Sequence, residues 1–210
     1  INLSVSELSF CIPKSPAMSL KRFIATLASY FVLASLLLLP LSAHMGSRLP
    51  DDGDAILGLW IVWWSATNLF KGYPEIFDAN AFYPHPQGLL YSEPMIGEGL
   101  LSWPLFNGLE NPVFAMNLLT LITLALSATA AHMLFKEITD SEYGAVVGAI
   151  AYTFSAYSFS QIPRIQLITL QWLPLALYCL HRYFNYNKNR YLIGFTVFSI
   201  LQALSCFYYL

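Results

Sequence analysis

The sequence predicts an all-α fold: a polytopic bundle of transmembrane helices with a long extracytoplasmic first loop that contains interfacial helices. Apolar residues make up 57% of the 210 residues and charged residues only 10%, against about 45–50% and about 25% in soluble domains. All 22 charged residues lie outside five apolar stretches, each long enough to cross roughly 30 Å of hydrocarbon as a helix. A net charge of -2 offers no basic surface, so nucleic-acid binding is excluded.

The predicted spans cover residues 23–42, 113–135, 144–162, 165–181 and 191–210. Met18, followed by Lys21 and Arg22, is typical of a natural start, so we expect residues 1–17 to be a disordered or non-native tail. The alternative is a cleaved signal peptide that ends near Ala43, although its apolar part exceeds the usual length of about 7–15 residues. Because no polar flank closes the fifth stretch, residues 18–210 are expected to be the N-terminal part of a longer transmembrane domain.

The distribution of lysine and arginine predicts the orientation of the bundle. With a cytoplasmic N-terminus, seven of these residues lie inside and three outside, as the positive-inside tendency requires. The segment 55–70 is also apolar, but as a helix it would reach only about 24 Å, and crossing would level the count at five against five. We therefore predict that segment 55–70 is a helix on the membrane surface or against other helices, capped by Asp54.

Residues 43–111 form the predicted outer loop, which carries eight acidic residues and two basic residues. Asp51, Asp52 and Asp54 surround Gly53 in a turn, where closely spaced carboxylates can converge on a divalent cation such as Mg²⁺ or Mn²⁺. One of them could instead act as a general base, and a helix cap is the simplest structural role. The sequence thus indicates Asp54 and Asp52 as catalytic candidates and all three aspartates as candidate metal ligands.

Segments 80–88 and 91–94 are rich in aromatic, proline and hydrogen-bonding residues, which is typical of an ordered loop. Such a surface suits a sugar or a lipid headgroup. We interpret Tyr83, His85 and Glu98 as candidate substrate-binding residues. Glu93 is a candidate second catalytic carboxylate, and Glu98 could also fill that role.

Several short motifs resemble the bacterial multi-spanning membrane glycosyltransferases of the GT-C superfamily. In the outer loop they are Gly53-Asp54-Ala55 ahead of Trp60 and Trp64, Asp78-Ala79-Asn80-Ala81-Phe82-Tyr83-Pro84, Tyr91-Ser92-Glu93 and Pro104. Further along, Arg164-Ile165-Gln166 and Gln171-Trp172-Leu173-Pro174-Leu175 are similar to the third-to-fourth span connection and to the fourth span. The resemblance covers about residues 18–210.

The resemblance implies an enzyme of the bacterial inner membrane, surrounded by membrane lipids. Such an enzyme takes a sugar from a polyprenyl-phosphate donor and passes it to a glycan, lipid or protein acceptor at the extracytoplasmic face. It also implies that an acidic residue of the first outer loop, here Asp54 or the pair Asp51 and Asp52, acts as base or metal ligand. Arg164 is placed to contact the donor phosphate, and Gln166 is a further candidate substrate-binding residue.

Two other functions stay open on the sequence. A polytopic transporter subunit would place charged residues at mid-membrane, whereas the five apolar stretches contain none. That distribution favours chemistry at the membrane surface. A non-catalytic membrane scaffold is the third possibility.

Overall fold

The computed structural model describes residues 18–209, so the predicted tail 1–17 lies outside the described residues. Within this part the chain is all-helical and has no strand, which confirms the predicted all-α class. The α-helices are α1 (Leu20–Leu37), α2 (Leu39–Ser42), α3 (Asp54–Asn68), α4 (Ile96–Gly108), α5 (Pro112–Thr139), α6 (Glu142–Thr153), α7 (Ala156–Ser160), α8 (Ile165–Ile168), α9 (Trp172–Tyr186) and α10 (Asn189–Ser205). Short 3₁₀ turns cover Gly88–Tyr91 and Phe207–Tyr209.

Two of the described helices are long and apolar enough to cross a membrane. They are α1, with 18 residues, and α5, with 28 residues. Helix α1 is mostly exposed, whereas α5 is mostly buried by its neighbours. Signal sequences and the core helices of soluble proteins meet the same criterion, so these two helices by themselves are weak evidence for membrane association.

The structure divides the first predicted span at Leu38, between α1 and α2, and it interrupts the third and fourth predicted spans as well. Helix α6 ends at Thr153, and Ser155 begins α7 by accepting a hydrogen bond from the Ser158 backbone N–H at 3.3 Å. Helix α8 ends at Ile168, and the Thr169 hydroxyl donates back to the Ile165 carbonyl at 2.8 Å before α9 begins. Hydroxyl side chains thus satisfy backbone groups at the last two breaks, and each predicted continuous segment becomes a pair of helices.

Helix α5 lies at the centre of the packing. It contacts α1, α6 and α9 along its length, and α9 packs in turn against α10. At one end, Glu142 forms ion pairs with Arg22 and with Lys136, which joins the ends of α1, α5 and α6. The remaining large contact is between α3 and α4, which both belong to the predicted outer loop.

Helix α3 occupies the segment in which a short helix was predicted. Ala55, Ile61 and Val62 are buried, so one face of α3 packs against neighbouring helices, whereas its placement relative to a membrane stays a prediction. The predicted cap is wrong. Asp51, and not Asp54, caps the helix: its Oδ1 accepts from the Gly53 and Ala55 backbone N–H groups at 3.1 and 2.9 Å.

Close packing of α3 on α4 depends on Gly99. A Cβ added there would lie 2.8 Å from the Ser65 Cβ, closer than side chains tolerate, so the helices would have to separate. We expect Gly99→Ala to lower the free energy of unfolding by about 1–3 kcal/mol, measured by thermal or denaturant unfolding of the purified chain. Gly108→Ala is the matched control, because nothing lies within 4 Å of its added Cβ; equal destabilisation by both variants would contradict the prediction.

Candidate functional site

The centre of the candidate site is an ion pair between two residues that are far apart in the sequence. Arg164 Nη2 lies 2.7 Å from Asp54 Oδ2, and Arg164 Nη1 donates to the Gln161 Oε1 at 2.9 Å. Asp54 is the first residue of α3, and Arg164 directly precedes α8. Both side chains are about half exposed, 46% and 47%, so a ligand can reach either of them. The structure therefore brings together the predicted base and the predicted phosphate-binding residue.

The packing of α3 explains why these two residues meet. Gly58 lies one helical turn after Asp54 and is buried. A Cβ added at Gly58 would lie 3.8 Å from Ile165 Cγ2 and 4.0 Å from the Pro163 carbonyl oxygen, so α3 passes directly over the start of α8. Because Ile165 is itself fully buried, this contact holds the Arg164 backbone beside the first turn of α3.

An apolar groove lies next to the ion pair, and we call it the Arg48 groove. It has a volume of about 530 Å³. Its lining residues are Leu37, Leu38, Pro40, Leu41, Arg48, Leu49, Pro50, Phe159, Ser160, Ile162 and Pro163. Arg48 is its only charged lining residue, and no carboxylate of the described chain forms an ion pair with it. One lining residue, Pro163, directly precedes Arg164 in the chain, whereas neither Asp54 nor Arg164 lines the groove.

A smaller pocket shares two lining residues with the groove and is also lined by Asp52 of the acidic turn. It has a volume of about 370 Å³ and is lined by Ser47, Arg48, Leu49, Asp52, Ile56 and Val113. Arg48 and Leu49 belong to both cavities. Two arginines and two aspartates therefore lie around the start of α3, which is an arrangement suited to an anionic ligand that contacts a carboxylate base.

The three aspartates of the turn have different roles and do not converge. Asp51 caps α3, Asp54 pairs with Arg164, and Asp52 lines the pocket with Arg48. Within residues 18–209 no group of three or more His, Cys, Asp or Glu side chains is arranged to hold a metal ion. The Mg²⁺ or Mn²⁺ site of Asp51, Asp52 and Asp54 therefore stays a prediction.

The predicted second carboxylates, Glu93 and Glu98, lie at a different place. Glu93 Oε1 accepts from the Phe207 backbone N–H, just after α10, at 3.2 Å. Glu98 is completely buried in the first turn of α4. In the described part of the chain no hydrogen bond or ion pair joins either of them to Asp54, so neither is assigned to the Asp54–Arg164 pair.

Glu98 lies in a buried polar region formed by three parts of the chain. Neither of its carboxylate oxygens has a hydrogen-bond partner among the described residues, and the same is true of the Gln171 Nε2 and of both polar atoms of the Gln202 side chain. Ser205 links these parts, because it accepts from the Trp172 Nε1 at 3.0 Å and lies against Gly97. Burial raises the pKa of Glu98 to about 8, so this carboxyl is mostly protonated at neutral pH.

The raised pKa makes stability depend on pH. Folded Glu98 keeps its proton to a higher pH than the unfolded chain does, so the free energy of unfolding falls as pH rises. The contribution of Glu98 is complete below about pH 4.3 and is lost between there and about pH 8, at up to about 1.4 kcal/mol per pH unit. We expect Glu98→Gln to flatten this loss and to be more stable than the wild type at pH 9, measured by denaturant unfolding. The control is Glu75→Gln, which changes an exposed acid of the same loop. An unchanged slope in Glu98→Gln would contradict the prediction.

The remaining predicted substrate-binding residues are not grouped with one another. Tyr83 is 94% exposed. The His85 ring lies 6.1 Å from the Tyr91 ring. Gln166, in α8, has a buried Oε1 without a partner in the described chain, and it lies two residues after Arg164.

A second groove lies beside α3, and we call it the aromatic groove. Its volume is about 470 Å³. Its lining residues are Leu57, Trp60, Asn80, Ala81, Phe82, Gly88, Leu89, Tyr91 and Ser92. Neither Tyr83 nor His85 lines the aromatic groove. The predicted aromatic loop therefore contributes other residues to the groove than the two that were predicted to bind substrate.

The sequence analysis did not name Arg48, Gln161 or Phe82 individually as candidate residues of the ion-pair site or of the two grooves. Arg48 did carry a signal, since it is one of only two bases in a loop with eight acids. Gln161 lies three residues before Arg164, which is a spacing that allows contact across a turn. Phe82 belongs to segment 80–88, which was predicted to suit a sugar, but its position in a groove depends on how the loop closes.

The comparisons with known proteins add no family assignment. No family model matches the chain, and no curated protein or solved structure is significantly similar to it. The function is therefore argued from the residues and their geometry.

Proposed function

We propose that this chain acts in a polytopic membrane glycosyltransferase of the GT-C type, at the extracytoplasmic face of a cell membrane. The enzyme moves a sugar from a polyprenyl-phosphate donor to a glycan, lipid or protein acceptor. The observation that carries the proposal is the half-exposed ion pair of Asp54 and Arg164, in which Arg164 directly follows Pro163 of the Arg48 groove.

The donor fits the Arg48 groove by its chemistry. A polyprenyl phosphate has a branched apolar chain and an anionic head. The groove offers leucine, proline, phenylalanine and isoleucine walls for the chain, and the Arg48 guanidinium has no carboxylate partner in the described chain. Arg164 lies just beyond Pro163, so two guanidinium groups are available to the phosphate, and arginine is well suited to bind phosphate through paired hydrogen bonds.

Binding of the phosphate also prepares the base. In the structure Arg164 Nη2 lies 2.7 Å from Asp54 Oδ2. A donor phosphate competes for the same guanidinium, and it thereby releases an Asp54 oxygen toward the acceptor. The arginine thus couples donor binding to exposure of the carboxylate.

The transfer itself is a displacement at the anomeric carbon. The acceptor hydroxyl gives its proton to the Asp54 carboxylate as its oxygen forms the new glycosidic bond. The bond between the anomeric carbon and the phosphate oxygen breaks, and its electron pair leaves on the lipid phosphate. Arg48 and Arg164 stabilise this negative charge.

The test of the proposed activity is donor turnover by the full chain in liposomes. Undecaprenyl-phosphate-linked glucose, mannose, galactose and N-acetylglucosamine serve as donors, and the glycolipid and glycan fraction of the source membranes serves as acceptor. We expect release of free undecaprenyl phosphate together with a labelled glycoconjugate for at least one donor. Release of neither product from any donor would overturn the proposal.

The proposed topology makes its own prediction. In a chain whose native cysteines are replaced by serine, cysteines at residues 47 and 87 should react in intact cells with a membrane-impermeant thiol reagent, because both lie in the predicted outer loop. A cysteine at residue 187 should react only after the cells are opened, because it follows a predicted span on the basic side. Labelling of residue 187 in intact cells would contradict the orientation with a cytoplasmic N-terminus.

One observation favours the transporter as a second candidate. Glu98, Gln171 and Gln202 hold buried polar atoms without partners in the described chain, and interior polar groups of this kind occur along substrate pathways of transporters. Uptake of a solute that depends on Glu98 but not on Asp54 would favour transport over sugar transfer.

A further inference from the structure

From the shape and chemistry of the aromatic groove we infer that it binds the saccharide end of the acceptor, an uncharged pyranoside, next to Asp54. The inference rests on the proposed function for the acceptor role, whereas saccharide binding itself can be measured without turnover.

The lining of the groove matches a sugar. Trp60, Phe82 and Tyr91 offer flat aromatic surfaces, and the apolar C–H face of a pyranose packs on such surfaces. The Asn80 amide and the Ser92 hydroxyl offer hydrogen-bond donors and acceptors for the hydroxyl groups of the ring. A purely apolar ligand, such as a lipid chain, would leave these two polar side chains without partners.

The groove also has no charged lining residue. This separates it from the Arg48 groove, in which a guanidinium is available for an anion. An uncharged acceptor and an anionic donor would thus bind in two different cavities, which differ in the charge of their lining residues. The volume of about 470 Å³ lies within the range that is usual for small-molecule sites.

The position of the groove is appropriate for the acceptor. Leu57 lines it and lies one helical turn after Asp54, about 4.5 Å further along the axis of α3. Trp60 lines the same groove, one turn further on. A saccharide packed against Leu57 would therefore lie about one helical turn from Asp54 along the axis of α3.

The loop that forms the groove is held in one shape. Asp78 Oδ1 accepts from the Gln87 backbone N–H at 2.7 Å, and the Phe82 carbonyl accepts from the His85 backbone N–H at 3.0 Å. Phe82 has a φ of 61°, a left-handed conformation that is costly for a bulky residue and is typical of ligand-binding positions. The Phe82 and Tyr91 rings pack at 5.2 Å. The binding surface thus exists before the sugar arrives, which lowers the entropy cost of binding.

Saccharide binding is tested by saturation-transfer difference NMR on the full chain in lipid nanodiscs. The probes are the methyl glycosides of glucose, galactose, mannose and N-acetylglucosamine, with cellobiose and chitobiose. We expect transfer to the ring C–H protons of at least one probe, and a binding constant about five- to tenfold weaker in Tyr91→Ala. Tyr91→Phe should keep most of the affinity because it keeps the ring.

Tyr83→Ala is the matched control. It removes the same type of side chain from the same loop, but Tyr83 does not line the groove, so its binding constant should equal that of the wild type. Transfer to no probe, or equal losses in Tyr91→Ala and Tyr83→Ala, would overturn the inference.

Two results separate this inference from the proposed function. Normal sugar binding without donor turnover would support the saccharide site and contradict the proposed transferase activity. Turnover with an unchanged acceptor KM in Tyr91→Ala would support the transferase activity and contradict the role of this groove as the acceptor site.

Contact with lipid is the competing role of the exposed aromatic rings. Electron paramagnetic resonance of a nitroxide attached to the cysteine of Tyr91→Cys tests this role. If the nitroxide is more accessible to oxygen than to a water-soluble nickel chelate, the groove lies in the bilayer and the inference is overturned.

Discussion

Replacing Asp54 by asparagine is expected to lower the rate of sugar transfer by about 10²–10⁴, the usual cost of losing a positioned general base. The change keeps the shape of the side chain and removes only its charge. Since Asp51, and not Asp54, caps α3, the helix should form as in the wild type. The measurement is donor turnover at matched expression, with circular dichroism to compare helix content.

The neighbouring aspartates give the controls for this result. Asp52→Asn removes an acid of the same turn whose side chain has no ion pair in the described chain, so its effect on turnover should be much smaller. Asp51→Asn keeps an oxygen that can accept from the α3 backbone and should keep activity. Equal losses in all three variants would instead indicate a shared metal ion. Full activity in Asp54→Asn would contradict its role as the base.

Arg164→Gln extends the same argument to the donor. Loss of the guanidinium removes both the partner of Asp54 and the proposed phosphate contact, so the KM for the donor should rise together with a fall in kcat. The pattern differs from that of Asp54→Asn, in which the base is lost but the phosphate contact remains. A changed kcat with an unchanged donor KM in Arg164→Gln would remove the phosphate contact from the proposal.

The largest effect on stability is expected at the buried pair of Glu137 and Arg182. Arg182 Nη1 lies 3.0 Å from Glu137 Oε2, and the two side chains are only 4% and 3% exposed. The same guanidinium donates to the Tyr178 and Tyr191 hydroxyl groups at 3.0 and 3.2 Å and lies 4.7 Å from the centre of the Tyr186 ring. It therefore joins α5, α9 and α10 through a single charge.

Arg182→Met should lower the free energy of unfolding by about 3–5 kcal/mol, because it leaves the Glu137 carboxylate buried without its partner. The double variant Glu137→Leu with Arg182→Met should recover most of this loss, since a pair of apolar side chains leaves no charge to bury. Unfolding of the purified chain by denaturant measures both. Lys188→Met, at an exposed lysine in the adjacent turn, should change stability by less than about 0.5 kcal/mol, and an Arg182→Met value as small as this would contradict the prediction.

The local features were predictable because they depend on neighbours in the chain. The helix at segment 55–70 was predicted from its apolar composition and is present as α3. The cap of that helix was assigned to the wrong aspartate, since Asp51 and Asp54 are both near the N-terminus of α3 and only the turn geometry distinguishes them. The breaks after Thr153 and Ile168 were not predicted because the apolar composition is continuous across both. The Ser155 hydroxyl caps the start of α7, and the Thr169 hydroxyl bonds to the Ile165 carbonyl at the end of α8.

The amino-acid sequence by itself determined that this chain is helical, because so apolar a composition with segregated charges satisfies its backbone hydrogen bonds within helices. It also identified Asp54 and Arg164 as separate candidates. Only the tertiary structure decided that they meet, since their contact follows from α3 packing through Gly58 onto Ile165. The burial of Glu98 is of the same kind: an acid in a predicted outer loop becomes an interior group when α4 packs against the end of α10. Contacts between distant segments depend on which surfaces pack together, and the spacing of residues along the chain does not contain that information.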